Sequence, residues 1–285
     1  MKIGVDLGGT NIRAAAICDT QVIKQTSAGL RDKDNLGSTL DQLKRVIREI
    51  YDPSASGIGI GVPSVVDLEN GIVRDVVNIP SWKEVHLRDI LQAEFNIPVF
   101  INNDVNCFVL GEKYFGYGRN YHSFVGVTLG TGIGAGIIID DRLYSGKNCG
   151  AGEIGYLPYL DKDLEFYCSS GFFDQIHHTT AKKTFELAEQ NDAQALTRWA
   201  EFGHHLGIAL RSVMYAYDPE AIILGGTISK AYKYFEKSMQ ESMKNTYFPQ
   251  SVASLKFHVS DVENLQMLGA AALVDQYEAV HAAKV

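Results

Sequence analysis

Five short stretches of this 285-residue sequence place glycines, carboxylates and amides where phosphate and hydroxyl chemistry could be done. The first is Asp6-Leu7-Gly8-Gly9-Thr10-Asn11. Its two glycines let a backbone turn tightly against phosphate oxygens, to which main-chain N–H groups and the Thr10 hydroxyl donate. Asp6, at a strand end, is suited to hold a magnesium ion through water. A plain hairpin turn would use the same Gly-Gly pair. The second, Thr128-Leu129-Gly130-Thr131-Gly132-Ile133-Gly134-Ala135-Gly136, carries glycine at alternating positions. It forms a backbone cradle without the lysine of a P-loop. Close packing of strands explains one or two such glycines but hardly all of them. The third, Ile222-Ile223-Leu224-Gly225-Gly226-Thr227-Ile228-Ser229, reads as a buried strand, a turn and a helix start. That geometry suits a nucleotide lying against a helix N-terminus.

The remaining two stretches carry the acids. In Ile101-Asn102-Asn103-Asp104-Val105-Asn106 an apolar strand runs into a polar cluster. A carboxylate there is suited to take a proton from a substrate hydroxyl, and Asn or Asp at the same place also caps a helix. Both roles are compatible, with Asp104 catalytic and a neighbour capping. Gly150-Ala151-Gly152-Glu153-Ile154-Gly155-Tyr156, continuing to Leu164-Glu165-Phe166-Tyr167-Cys168-Ser169-Ser170-Gly171, offers two carboxylates and a tyrosine to a polyol. A solvated loop is the plainer reading.

The elements that must position these groups alternate in period. Short Val- and Ile-rich runs predict strands at Ile3–Leu7, Ile12–Ile17, Gly57–Val62, Val99–Asn102, Phe124–Thr128, Gly134–Ile139 and Ala221–Leu224. Leu36, Leu40, Leu43, Ile47 and Ile50 mark one helix face. A second face runs from Leu196 to Met214 and should stop at Asp218-Pro219. Cys107–Tyr114 reads as a helical run. The first two strands form a hairpin, so mixed sheets covered by helices are expected. Glycine turns after three separate strands suggest two related nucleotide-binding halves.

Composition narrows the classes. With 26 Lys+Arg against 34 Asp+Glu the net charge is −8, which argues against nucleic acid and anionic membranes as partners. No apolar run reaches the roughly 20 residues of a membrane span, and the start lacks a signal-peptide pattern, so a cytoplasmic protein is expected. Cys18, Cys107, Cys149 and Cys168 are far apart with no CxxC pair, so no disulfide framework is indicated.

Together and in this order the five stretches resemble the ROK sugar kinases, the bacterial glucokinases and N-acetylhexosamine kinases of the actin/hexokinase/Hsp70 ATPase superfamily. The resemblance spans essentially the whole chain. It implies an actin/hexokinase/Hsp70-like (ribonuclease H-like) α/β fold with mixed sheets and an interdomain cleft closing over the sugar. Residues 1–110 plus 263–285 would form a smaller domain with a returning C-terminal helix, and residues 111–262 a larger one. It implies ATP-dependent phosphorylation of a hexose at the 6-hydroxyl with Mg2+, glucose first and N-acetylmannosamine or N-acetylglucosamine as the alternative, by a homodimer. Asp104 matches the catalytic base. Ser64, Asn78, Asn103, Glu153, Tyr156 and Glu165 match the sugar side, Ser64 standing where glycine is usual. Asp6, Gly8, Gly9, Thr10, Asn11, Gly130, Thr131, Gly132, Gly225 and Gly226 match the nucleotide side.

One departure is large. Family members carry histidine where Tyr156 stands, followed by a cysteine loop that binds zinc with it. Here Leu157-Pro158-Tyr159-Leu160-Asp161-Lys162-Asp163 replaces that loop, and Cys168 alone cannot build a tetrahedral site. No structural zinc is expected, with residues 157–160 packing a shorter loop and the Tyr156 hydroxyl taking part of the histidine's role. The family also contains sugar-responsive repressors, which place a DNA-binding domain ahead of the first phosphate motif. Here that motif starts at residue 6, and a repressor is not expected. Nor is a catalytically dead sugar-binding module, since Asp104 and all three nucleotide motifs are present.

Overall fold

The Gly8-Gly9 turn folds the start of the chain into a hairpin of β1 (Lys2–Leu7) and β2 (Asn11–Cys18), with Asp6 opposite Arg13, in a computed structural model that describes residues 1–282. Next come β3 (Gln21–Gly29), α1 (Leu36–Ile50) and β4 (Ile58–Val62). Asn35 caps α1 by accepting from the Ser38 amide at 2.9 Å, and Leu43, Val46, Ile47 and Ile50 are its buried face. Leu36, at the first turn, stays exposed. A small sheet of β5 (Val66–Asp67), β6 (Ile72–Arg74) and β7 (Glu84–Val85) precedes α2 (Leu87–Phe95), β8 (Val99–Asn103) and α3 (Asp104–Phe115). The main sheet runs β3-β2-β1-β4-β8, antiparallel through the hairpin and parallel from β1 to β8. Its register puts Asp6 beside Gly61 and Val62 beside Asn103. The carboxyl ends of three parallel strands, where open α/β sheets bind ligands, therefore lie side by side.

The pattern repeats. Strands β9 (Phe124–Leu129) and β10 (Ile133–Ile139) form a second hairpin, edged by β11 (Arg142–Leu143). A two-strand hairpin, β12 (Pro158–Tyr159) and β13 (Lys162–Asp163), leads into α4 (Leu164–Cys168). Helices α5 (Ala181–Glu189) and α6 (Ala193–Tyr217) follow, then β14 (Ala221–Gly225), α7 (Tyr232–Lys244), α8 (Pro249–Ser254) and β15 (Lys256–Val259). This sheet runs β11-β10-β9-β14-β15, with β9, β14 and β15 parallel. α6 ends at Asp218, whose φ of 42° is left-handed, before Pro219. The turn after β14 leads first into a 3-10 turn at Ile228–Ala231, so α7 starts later than the glycine pattern suggests.

The chain closes with α9 (Leu265–Ala282), whose side chains are buried almost continuously from Leu265 to Val274. It lies so close to the first sheet that a Cβ on Gly4 or Gly59 would fall within 1.9 Å of a carbonyl oxygen of the helix. Gly269 packs as closely on α3. The two compact units are Met1–Arg119 with Leu143–Ala151 and the chain from Asp261 on, and Asn120–Arg142 with Gly152–Ser260. The break thus falls past residue 110, residues 143–151 join the first unit, and that unit is the longer of the two, where the sequence suggested the smaller domain.

Candidate active site

In the first unit the nominated groups gather at the strand ends. Asp6 is 8% exposed and its Oδ2 accepts from both Nε and a terminal nitrogen of Arg13. Arg13 was not nominated, although a hairpin centred on Gly8-Gly9 puts it opposite Asp6. The turn is closed by the Gly8 amide donating to the Asn11 carbonyl at 2.9 Å. A Cβ on Gly9 would lie 2.5 Å from Cβ of Asn78, so this glycine admits a neighbouring side chain rather than a ligand, and Asn78 is brought against the turn. The Asn11 amide donates to the Thr10 hydroxyl at 3.2 Å, leaving that hydroxyl's proton for an acceptor.

Asp104 begins α3, and Gly61 lets the helix lie against β4: a Cβ there would be 3.3 Å from Cα of Asp104. Asn103 is the cap. Its Oδ1 accepts from the amides of Val105 at 2.8 Å and Asn106 at 3.4 Å, and its Nδ2 donates to the Ser64 carbonyl at 3.3 Å. Its side chain is thus largely committed to the fold, with one N–H left to offer. Asp104 Oδ1 accepts from the Val105 amide at 2.9 Å, so the carboxylate stands among the amides of the helix start, where negative charge is favoured. The Ser64 hydroxyl donates to the Arg74 carbonyl and retains only its acceptor lone pairs. Beneath them Asn102 Oδ1 accepts from the Asn106 amide at 2.8 Å and from the Cys149 thiol at 3.1 Å. That buried polar knot ties segment 143–151 to the end of β8, and sequence spacing alone gave no signal of it.

In the second unit the Gly130 turn follows β9. The Gly130 amide donates to the Gly132 carbonyl at 3.0 Å, and the Ser170 amide holds the Gly130 carbonyl at 2.8 Å. A Cβ on Gly130 would meet nothing within 4 Å, so no protein neighbour demands glycine here and that face of the turn is unobstructed. Gly132 differs: a side chain there would strike Glu165, whose Oε2 would be 2.3 Å from the Cβ. Gly226, at φ 85°, packs on the Leu129 carbonyl, and its freedom serves the strand ends. Thr131 and Gly225 complete these turns.

Glu165 lies on α4, its Oε2 accepting from the Ile133 amide at 3.4 Å, so the Gly130–Gly132 turn and this carboxyl share one corner. Desolvation pushes the Glu165 carboxyl above the ordinary carboxylate range, the Ile133 amide opposes this, and Asp163 adds to it. Glu153 is raised too, by desolvation and then by the charge of Glu165. Two acids are thus held beside each other with their ionisation resisted. Tyr156 stands 66% exposed, its hydroxyl raised by desolvation and by Glu165, and among the described residues it has no hydrogen-bond partner. The expectation that it replaces a histidine's contact finds no partner within the unit. Leu157 and Leu160 are exposed as well, and only Tyr159 of that loop turns inward.

The donor set does not fit zinc. Cys168 is buried, its thiol pushed well up by desolvation, and among the described residues no three His, Cys, Asp or Glu gather as metal ligands. A separate cavity of about 430 Å³ is walled by Asp67, Glu69, Arg74 and Lys147 and includes none of the nominated residues.

The ROK family sequence profile matches residues 2–277. A glucokinase from Thermotoga maritima is 31% identical, with 96% of this chain and 97% of that protein covered. A xylose repressor from Bacillus spizizenii is 30% identical over 78% of this chain and 61% of its own length. A solved ROK family glucokinase from Streptomyces griseus, in complex with glucose and AMPPNP, has a TM-score of 0.82 at 23% identity, covering 96% of this chain and 99% of that one. The fold is accordingly the actin/hexokinase-like α/β fold expected from the motifs.

Proposed function

The chain belongs to the ROK family, and within it we propose an ATP-dependent kinase that phosphorylates a hexose at its 6-hydroxyl, glucose being the leading substrate. The observation that carries this reading is Asp104: a carboxylate on the first turn of α3, at the carboxyl end of β8 in the same sheet whose β1 ends in the Gly8-Gly9 turn. The glucokinase likeness over nearly the whole chain supports it.

In this mechanism Asp104 accepts the proton of the 6-hydroxyl while that oxygen attacks the γ-phosphorus in line. The amides of Gly9 and Thr10, the Thr10 hydroxyl and the unobstructed face of the Gly130 turn line the phosphates. Gly225 and Gly226 border the adenosine. Glu153 and Glu165, as carboxylates, accept from ring hydroxyls and fix the sugar, with Asn78, Ser64 and the spare N–H of Asn103 beside Asp104. Asp6, oriented by Arg13, would hold magnesium through water, which supplies charge neutralisation of the transferring phosphates. Catalysis is then mainly positioning.

The repressor likeness makes sugar binding without transfer the second reading. A coupled ADP-release assay with glucose, mannose, N-acetylglucosamine, N-acetylmannosamine, fructose and β-glucosides separates the two. ADP release that requires one of these sugars supports the kinase. Sugar binding with no sugar-dependent ADP release would support the binder.

A further inference from the structure

The loop that stands in place of a metal site is fastened by aromatic and hydrogen-bonded contacts reaching α6. In the β12–β13 hairpin Pro158 pairs with Asp163 and Tyr159 with Lys162, turning at Leu160 with φ 53°. Tyr159 sends its ring inward, and its hydroxyl hydrogen-bonds Nδ1 of His205 at 2.9 Å. Tyr167, on α4, packs its ring on both: 5.3 Å from Tyr159, nearly perpendicular, and 4.9 Å from His205. Phe172 closes the far side of the imidazole at 5.9 Å. The Tyr167 hydroxyl donates to Asp161 at the hairpin tip, and Asp163 caps α4 by accepting from the Phe166 amide at 2.8 Å. Glu165 lies inside this frame, between the Asp163 cap and Tyr167.

We propose that Tyr159, Tyr167 and His205 are positioning residues that set Glu165 against Ile133 and so tune hexose affinity, doing with a tyrosine–histidine hydrogen bond the loop-fixing work that zinc does elsewhere in the family. The inference rests on the reading of Glu165 as a sugar ligand. For the bond to form with Tyr159 as donor, Nδ1 of His205 must be unprotonated and the ring proton must sit on Nε2. Burial and His204 favour the neutral ring, while Glu201 on the same helix opposes them. From the hairpin and α4 the facing groups are Tyr159 and Tyr167, neither charged at neutral pH, and from the segment that brings Phe172 against the ring His177 lies 3.2 Å from Glu201. Protonating His205 puts a charge in this half-buried site and forces the bond to reverse, with Nδ1–H donating to the Tyr159 oxygen, which loosens the hairpin's anchor.

The test is steady-state kinetics of the full chain with D-glucose, or whichever panel sugar is turned over, for Tyr159→Phe, His205→Gln and Glu165→Gln, with melting temperatures alongside. Tyr159→Phe should raise the hexose KM about fivefold and leave the ATP KM unchanged. In the native chain the hexose KM should climb as pH falls below 6.5, more steeply than in Tyr159→Phe, because Glu153 and Glu165 titrate in both and only the native chain has a bond that protonation of His205 must reverse. His205→Gln, which keeps an acceptor that does not titrate, should stay nearer the native KM and share the shallower pH limb. An unchanged hexose KM in Tyr159→Phe, a parallel rise in both KM values, or identical pH limbs would overturn the proposal. Glu165→Gln separates the two layers. If it raises the hexose KM while Tyr159→Phe does not, the clamp fails and the sugar contact stands. If it has no effect, the reading of Glu165 itself fails.

Discussion

Chemistry at the residue scale turns on how each polar group of the site is engaged. Asp6 is paired with Arg13, and Asn103 is tied into its helix, whereas Asp104 combines a strand end with a helix start. Asp104→Ala should therefore lower kcat by about 10²–10⁴-fold, the range of a general base, with the melting temperature and much of the hexose affinity kept. Near-normal kcat would remove Asp104 from that role. Glu153 and Glu165 give a pH signature. Both carboxyls are raised above their ordinary value of 4.5, so they ionise in a window that begins there and extends upward. Hexose KM should fall as pH rises through that window. Fold stability should decline over the same window, because the unfolded chain ionises these groups first. Glu165→Gln removes the charge beside Glu153 and should move the remaining limb to lower pH, as a pH series of KM values will show. An unmoved limb would mean the two acids do not sense each other. At this scale the place of Asp104 was legible because an apolar strand runs directly into a polar cluster and a helical run. Arg13 and the Cys149–Asn102 contact were not, because each depends on pairing across turns or distant segments.

Placement of those residues belongs to the elements. Glycine in β1 and β4 is what lets α9 lie on the sheet, and it carries no chemistry. Gly59→Ala would put a methyl group 1.7 Å from the Ala270 carbonyl oxygen, so the helix must shift. Overpacking of this kind costs about 1–3 kcal/mol, which denaturant unfolding will read as a lower midpoint. A midpoint equal to the native one would show that α9 is not seated as described. Gly130 is the converse: with nothing within 4 Å, Gly130→Val should leave stability nearly intact and weaken binding of an ATP analogue more than of hexose, by calorimetry. If hexose binding collapses and the analogue still binds, the turn faces the other ligand. Strands β1, β2, β4, β8, β9, β10 and β14 and helices α1 and α6 were readable, since their apolar patterns are regular, whereas β3 and β15, in which no residue is fully buried, gave no such pattern. The β12–β13 hairpin was not readable either. Its sequence alternates too briefly to register, and its order comes from Tyr159 meeting a histidine on α6, distant in sequence.

Viewed as a whole molecule, the chain uses one design twice: an antiparallel hairpin extended by parallel strands, with a glycine turn at the end of the first strand of each sheet. The echo of Gly8-Gly9 in Gly130-Thr131-Gly132 made that duplication visible in the sequence. The boundary between units was less visible, because residues 143–151 return to the first unit through side-chain contacts that composition does not mark. At this scale the account predicts a kinase that needs no structural zinc. Elemental analysis of purified protein should find well below one zinc per chain, and a zinc-selective chelator with magnesium in excess should leave activity unchanged. Stoichiometric zinc whose removal abolishes activity would mean that other residues rebuild the site. The central claim, transfer of phosphate to a hexose 6-hydroxyl with Asp104 as base, is tested most directly by identifying the product. Phosphorus NMR of the reaction of the native chain with ATP and glucose should show phosphate coupled to the protons on carbon 6. With 6-deoxyglucose no phosphorylated sugar should form, and the Asp104→Ala protein should form it about 10²–10⁴-fold more slowly. Phosphate on another hydroxyl, undiminished product from the Asp104→Ala protein, or no sugar phosphate with any hexose would contradict it.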